Sequence, residues 1–366
     1  MDAAIIGGGP AGLAVASHVK HTDLVVLEAR RKLGHPPHCT GVVSPSTATR
    51  LDAWEVVEAQ YTVAVFLDGG FKEACRLEDK PVAVKLSRPG LEELLAARVE
   101  DAGHRVYRGV RVRGVIDGKG GIRVVADGWR GFFGRVVVAT GINTYNPTIP
   151  LPVSQGSCNS IVGVEARVVF EERVGDEEFY TIHATSLAPS FFAWIAPLSG
   201  GREAAVGLAG GVPGSLYDRL RLLLALVSRR LSWIRGVKDY RGGVIARGPP
   251  ALKASRGPIL WIGDVLCASK PFTGGGLYAI SVLAPHAAKA LDAGDVNGLE
   301  EVWKSLRREL ILQRSATRAA LAARHLFPRL LSLACSPARR GLCKVRFDEH
   351  SSLLPCLLLG LASRGD

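Results

Sequence analysis

The chain opens on a four-residue apolar run, Ala3-Ala4-Ile5-Ile6, and returns to one at 24–27, Leu-Val-Val-Leu. Short continuous runs of this kind fit strands buried on both faces of a parallel sheet. Between them Pro10–Lys20 is Ala-rich and apolar on one face, so the start reads strand, helix, strand. From 51 to 86 the pattern turns to alternation, in Thr62–Leu67 and Val82–Leu86 among others, which predicts antiparallel strands. Residues 87–102 predict a helix, with Ser87 as N-cap, Leu91, Leu94 and Leu95 on one face, and Gly103 at the stop. Strands follow at Arg105–Val115, Ile122–Ala126 and Arg135–Ala139. A second alternating zone, 160–247, includes Gly163–Phe170 and Phe192–Ile195 and one basic, Leu-rich helix, Leu216–Leu231. Ile259–Ile262 reads as another buried parallel strand, leading through a glycine-rich loop to a helix at Leu277–Leu291. From about Leu299 the pattern is helical, with breaks expected at Pro328, Pro337 and Pro355.

The first turn carries chemistry. Gly7, Gly9 and Gly12 form Gly-x-Gly-x-x-Gly between a strand and a helix. Gly7 allows the tight turn, Gly9 lets backbone approach a pyrophosphate, and Gly12 lets the helix pack on the sheet. Pro10 and Ala11 open that helix, whose free N–H groups face the phosphates. Glu28, with Ala29 after it, ends the second strand about 20 residues on, where an acid accepts hydrogen bonds from a ribose. An acid there favours FAD or NAD over NADP. Far downstream, Gly263-Asp264 closes a strand and Pro271, Gly274, Gly275 and Gly276 lead into a helix. Asp264 is placed to bond a ribityl hydroxyl, and the helix start to stabilise charge on a reduced isoalloxazine.

With both loops in view, the chain resembles the para-hydroxybenzoate hydroxylase superfamily of flavoproteins. Within it, it is most similar to the geranylgeranyl reductase family, which includes archaeal reductases of digeranylgeranylglycerophospholipid. The narrower resemblance rests on Pro37-His38-Cys39-Thr40-Gly41 with Ser44, on Arg88 at the head of a helix, and on Phe192-x-Trp194-x-x-Pro197 followed by Gly207. It runs over roughly residues 1–295. Phe192 and Ala196 replace the family's usual Tyr and Phe, Ala139-Thr140-Gly141 replaces Ala-Asp-Gly, and His38 stands where Lys or Pro is common.

The resemblance implies an α/β fold: a Rossmann-like FAD-binding domain (1–60, 86–155 and 245–295), an inserted antiparallel-sheet substrate domain (61–85 and 156–244) and a C-terminal helical region (296–366). It implies FAD held by the two loops together with Cys39, Gly41, Arg88 and Gly141. It implies an isoprenoid lipid substrate walled by Phe192, Trp194, Pro197 and Gly207, and reduction of isolated C=C bonds by hydride from flavin N5. Cys39 is the candidate mechanistic group, as a substrate-orienting or proton-relaying thiol. A second dinucleotide fingerprint is missing, so the electron donor is left between NAD(P)H and a carrier such as ferredoxin. Two other readings stand beside the reductase: a flavin monooxygenase or halogenase of the same superfamily, and a non-catalytic flavin- or lipid-binding protein.

Composition narrows the rest. With 47% hydrophobic and 22% charged residues among 366, the chain is a folded protein. The apolar strand directly after Met1 is unlike a secretory signal, and no run reaches the ~18 apolar residues of a membrane span. A cytoplasmic protein is expected. The net charge of +12 concentrates in the last quarter, between Lys304 and Arg346, without a nucleic-acid motif. It suits peripheral contact with an anionic membrane better than nucleic acid. Scarce Met, Asn and Gln hint at a hot source. The seven cysteines contain no C-x-x-C, and His35 and His38 beside Cys39 lack further ligands, so no metal is expected. Cys335, Cys343 and Cys356 read most simply as buried thiols; a disulfide among them would be surprising in a mesophile cytosol but permissible in a hyperthermophile.

Overall fold

The computed structural model describes residues 2–118, 120–142, 147–153, 158–210, 213–323 and 326–363. The expected domain boundary at 155/156 lies outside them. Two large sheets and one small one carry the architecture. The first has the strand order β16 (Ser255–Arg256), β17 (Ile259–Trp261), β10 (Arg135–Val138), β1 (Ala3–Ile6), β2 (Leu24–Glu28), β6 (Arg105–Arg108). All its pairings are parallel except β16 with β17. The apolar runs of β1, β2 and β10 are fully buried, in one core shared with the surrounding helices and with apolar residues of the small sheet such as Val115, Ile122 and Val124.

Helix α1 (Pro10–Ala16) is shorter than the apolar periodicity suggested and ends before Lys20. It packs on α5 (Leu277–Ala293) and on α3 (Arg88–Asp101). The Ser87 hydroxyl caps α3 by accepting from the Gly90 N–H. A short helix, α2 (Pro45–Arg50), lies against the following strands.

The second sheet has eight strands in the order β15 (Ile234–Ala246), β11 (Ser160–Phe170), β14 (Glu203–Ala209), β13 (Ala193–Pro197), β12 (Glu178–His183), β4 (Val57–Asp68), β5 (Glu73–Leu86), β3 (Val42–Val43). Only β12 and β4 pair in parallel. Most of its strands come from the two segments assigned to the inserted zone, but β3 comes from the segment 1–60 assigned to the FAD-binding domain, and β4 starts at Val57, ahead of the expected boundary at 61. One face buries Ala166, Val168 and Phe170 of β11 against Leu216, Leu220, Leu223 and Val227 of α4 (Pro213–Arg230). The third sheet is a three-stranded meander, β7 (Val112–Gly118), β8 (Gly121–Ala126) and β9 (Trp129–Phe133).

The chain finishes in α6 (Asn297–Ala322), α7 (Phe327–Arg339) and α8 (Leu353–Ala362). Pro328 does stand at the start of a helix, and Pro355 lies in the first turn of α8, where a missing N–H costs nothing. Pro337 does not break the chain. It sits inside α7, close to the helix end.

The expectation of free buried thiols fails. Cys75–Cys335 ties β5 to α7, Cys343–Cys356 closes the approach to α8, and Cys158–Cys267 joins the segment before β11 to the turn after β17. The partners of Cys335 and Cys158 lie 260 and 109 residues away, beyond what local spacing can reveal. Cys39 is the cysteine left free.

Candidate active site

A cavity of about 1710 Å³ runs from the first βα turn, across the open face of the eight-stranded sheet, to α6, α7 and α8. Binding pockets for one small ligand commonly span ~300–1,000 Å³. This one has room for more than one molecule.

At its first end, Gly7, Gly9, Pro10 and Ala11 line the wall with Glu28 and Ala29. Gly7 has φ +107°, and a Cβ there would stand 2.4 Å from the Ala139 carbonyl oxygen. A Cβ on Gly9 would meet nothing within 4 Å, so its backbone faces open space. Gly12 does not line the cavity. A side chain there would collide with the Gly7 carbonyl at 2.0 Å, the close packing its position requires. Glu28 accepts from the Gly8 and Arg30 N–H groups, both at 2.7 Å. That anchors the carboxylate at the strand end.

In the middle, Cys39, Thr40 and Gly41 meet Arg88, Gly141, Asp264 and Gly274–Gly276. Arg88 is buried. Its Nη2 donates to Glu92 Oε1 at 2.7 Å, and Glu92 Oε2 accepts from Gly34 N at 2.8 Å. Its Nε has no partner among the described residues. Burial pulls the Arg88 pKa down, but the adjacent Cys39 sulfur and Glu92 carboxylate outweigh it and the net direction is up. Asp264 accepts from the Ser269 hydroxyl at 3.0 Å, and burial raises its pKa. Thr273 Oγ1 is likewise buried without a partner. An orphaned guanidinium N–H, an unpartnered hydroxyl and a wall of bare glycine backbone are groups a polar, anionic cofactor would satisfy. Gly263 and Pro271 stand behind the wall. Gly263 faces Ala11 of α1, and the Pro271 carbonyl accepts from Arg247 at 2.9 Å.

Across the eight-stranded sheet one row stands in register, Arg241, Glu165, Gly207, Trp194, Thr181, Phe66 and Cys75, and all but Gly207 and Cys75 line this space. Gly207 is bare for a reason. A Cβ there would lie 2.4 Å from Trp194 Cζ2, so its absence lets the indole lie flat across the next strand. The indole Nε1 then donates to Glu165 Oε2 at 2.9 Å, and the Thr40 hydroxyl donates to the same oxygen. Phe192 and Trp194 line the cavity, with ring centroids 6.2 Å apart. Pro197 and Gly207 do not line it. Pro197 is buried and its carbonyl accepts from the Tyr61 hydroxyl at 2.7 Å.

Beyond Trp194 the cavity is apolar. Phe66, Phe192, Phe272 and Phe327 surround His183, and Leu330, Leu331, Ala334, Leu353 and Leu357 continue the wall. Burial drops the His183 pKa to about 4. His350, edge-on to Phe272, drops to about 3 through burial and the nearby Lys270 cation. The loop before α8 is held by a buried ion pair, Lys270 to Asp348 at 2.9 Å. Asp348 also accepts from Ser44 and, at 3.0 Å, from Thr47. Burial alone would raise its pKa. The Lys270 cation and these hydroxyls hold it below the usual carboxylate range.

The polar centre was only half visible beforehand. Glu165, Lys270, Asp348, His183 and His350 carry no motif. Glu165 had one signal, a charge at the strand parity opposite to Ala166 and Val168.

No family model matches the chain. A digeranylgeranylglycerophospholipid reductase of Methanothrix thermoacetophila is 26% identical over 354 residues, 85% of this chain and 86% of that protein. The namesake from Methanosarcina mazei is 26% identical over 344 residues. In sequence, the chain resembles the digeranylgeranylglycerophospholipid reductases. Among solved structures, a geranylgeranyl bacteriochlorophyll reductase-like protein of Thermoplasma acidophilum superposes with a TM-score of 0.80 at 17% identity, over 97% of this chain and 95% of that one. The p-nitrophenol 4-monooxygenase of Pseudomonas putida gives 0.72, also at 17% identity, over 98% and 96%. A flavin-dependent brominase gives 0.68. The fold is therefore that of the flavoprotein reductases and monooxygenases.

Proposed function

We propose that this protein is an FAD-dependent oxidoreductase that reduces isolated C=C bonds in the geranylgeranyl groups of isoprenoid lipids or their precursors. The observation that carries the reading is the continuity of the cavity. A polar end built from the two glycine loops opens, in one cavity of about 1710 Å³, into an apolar space walled by Trp194, Phe192, Phe327 and leucines of α7 and α8. The similarity to named reductases over five-sixths of the chain supports it. We assign the discontinuous domain of 1–60, 86–155 and 245–295 to FAD and the inserted sheet with the C-terminal helices to the lipid.

In this reading Gly7, Gly9, Pro10 and Ala11 take the pyrophosphate, Gly12 lets their helix pack close on the sheet, and Glu28 takes the ribose. Arg88, Gly141, Asp264 and the Gly274–Gly276 loop hold the flavin end. When bound and reduced, the flavin supplies hydride from N5. The chain's own contribution is to exclude water. Cationic character at an unactivated alkene carbon survives only in a dry pocket, and Trp194, Phe192, Phe66 and Phe272 furnish one. Cys39, beside Arg88 at the junction of the two ends, orients the bond to be reduced.

Among the described residues no helix is long and apolar enough to cross a membrane. We infer instead a peripheral dock. Leu354, Leu358, Leu359 and Leu361 of α8 are exposed, and exposed Arg339, Arg340 and Lys344 flank them. That pairing of apolar and basic groups suits an anionic bilayer.

The test is mass spectrometry of a geranylgeranyl lipid incubated anaerobically with the purified, flavin-loaded protein and dithionite. Products heavier by whole dihydrogen units are expected, with Cys39→Ala slowing their formation. An unchanged lipid, with oxygen-dependent turnover of an aromatic compound, would replace this reading by the monooxygenase one.

A further inference from the structure

One carboxyl group in the cavity wall has no task in the reading above. Glu165 is 5% exposed, in the middle of β11. Carboxyl groups this buried are rare unless paired or employed. The cation directly across the ladder, Arg241, gives its hydrogen bonds to Asp239 at 2.7 Å and 3.2 Å, not to Glu165. Tyr61 of β4 is a further titratable neighbour, and His38 and Cys39 precede Thr40, the Glu165 partner, in the chain. Tyr61 is engaged with Pro197.

The two oxygens of Glu165 are treated unequally. Oε2 takes both donors, Thr40 and Trp194. Oε1 accepts from none of the described residues. Both donors fall on one oxygen, so the carboxyl is held in place while its other oxygen is left free to exchange a proton with whatever fills the cavity. Trp194 and Thr40 fix its direction, and Gly207 makes the Trp194 contact sterically possible.

We propose that Glu165 is the acid that protonates the alkene, resting on the reductase reading above. Hydride from the reduced flavin forms a C–H bond at one alkene carbon, and the flavin is oxidised by two electrons. The π pair takes the Glu165 proton at the other carbon, so the lipid gains two hydrogens. The Glu165 O–H bond breaks and leaves a carboxylate, which water reprotonates before the next turn.

The experiment uses the flavin-loaded protein, reduced with dithionite, and follows flavin reoxidation on adding a geranylgeranyl lipid. The wild-type rate should fall as pH rises through the titration of the acid. Glu165→Gln should bind flavin and be reduced normally, lose roughly a hundredfold or more in reoxidation, and lose that pH limb. Thr40→Val removes a donor that favours the charged form, so its limb should move to higher pH. Infrared spectra of the resting protein should contain a protonated-carboxyl stretch that Glu165→Gln removes. A Glu165→Gln rate within threefold of wild type with the limb intact, an unmoved limb in Thr40→Val, or no such infrared band overturns the assignment. A wild-type protein that reoxidises without reducing lipid overturns the reductase reading itself.

Discussion

Acid should loosen this protein through two histidines. His183 and His350 both border the apolar part of the cavity and both pack against Phe272, His183 stacked and His350 edge-on. Their folded pKa values, about 4 and about 3, lie below the ordinary value of 6.5. The unfolded chain therefore binds protons that the folded one refuses, and stability falls as pH drops below about 6.5 toward those values. At pH 4.5 each unfolded histidine is about 99% protonated while each folded one is largely neutral, which costs about 2.6 kcal/mol apiece, or ~5 kcal/mol together. These figures are ceilings, because water in the cavity lessens the burial. Set against a total stability of ~5–15 kcal/mol, they would still dominate the acid limb. The assay is urea unfolding between pH 7 and pH 4.5 for wild type, His350→Phe and the double variant with His183→Phe. Each replacement keeps an aromatic ring against Phe272 and removes the titration. Below pH 6 each should remove up to ~1.4 kcal/mol per pH unit from the slope. Slopes that coincide in all three proteins would refute the reasoning.

Other expectations follow from single contacts. Gly207→Ala puts a Cβ 2.4 Å from the Trp194 ring, so the indole must leave Glu165; a loss of ~1–3 kcal/mol in chemical unfolding is expected, and a change under 0.5 kcal/mol would contradict it. Lys270→Met strands the buried Asp348 carboxylate and should cost ~3–5 kcal/mol, with new proteolytic sensitivity between α7 and α8 in a limited digest. Arg88→Met removes the guanidinium with the orphaned Nε and strands the Glu92 carboxylate, so stability should fall, while flavin affinity of the folded protein, measured by fluorescence titration, should fall at least tenfold. Equal affinity would separate Arg88 from the cofactor.

Much of the fold was legible because its signals are local. The runs at 3–6 and 24–27, the glycine spacing at Gly7–Gly12 and the Ser87 cap each act within a few residues. The Leu277 helix was recognisable for the same reason, with its stop at Gly294 in left-handed backbone. What stayed hidden depends on partners distant in sequence. Cys75 gives no sign of Cys335, and Lys270 none of Asp348. The row from Arg241 to Phe66 exists only once six strands have found their register. Pro337 misled because the carbonyl it leaves without a helical partner, that of Leu333, is met by the bare backbone of Gly360 in α8, a contact distant in sequence.

The helices over the cavity are fastened to the rest of the molecule at separate points: Cys335 to the sheet, Asp348 to Lys270 and the start of α2, and Gln313 of α6 to the Asp348 backbone at 3.3 Å. A roof so sewn down does not lift. A long chain would enter such a sleeve end first, by threading. On the proposed reading, successive bonds would then reach the spot beside Cys39 only as the chain slides lengthwise under helices that stay in place.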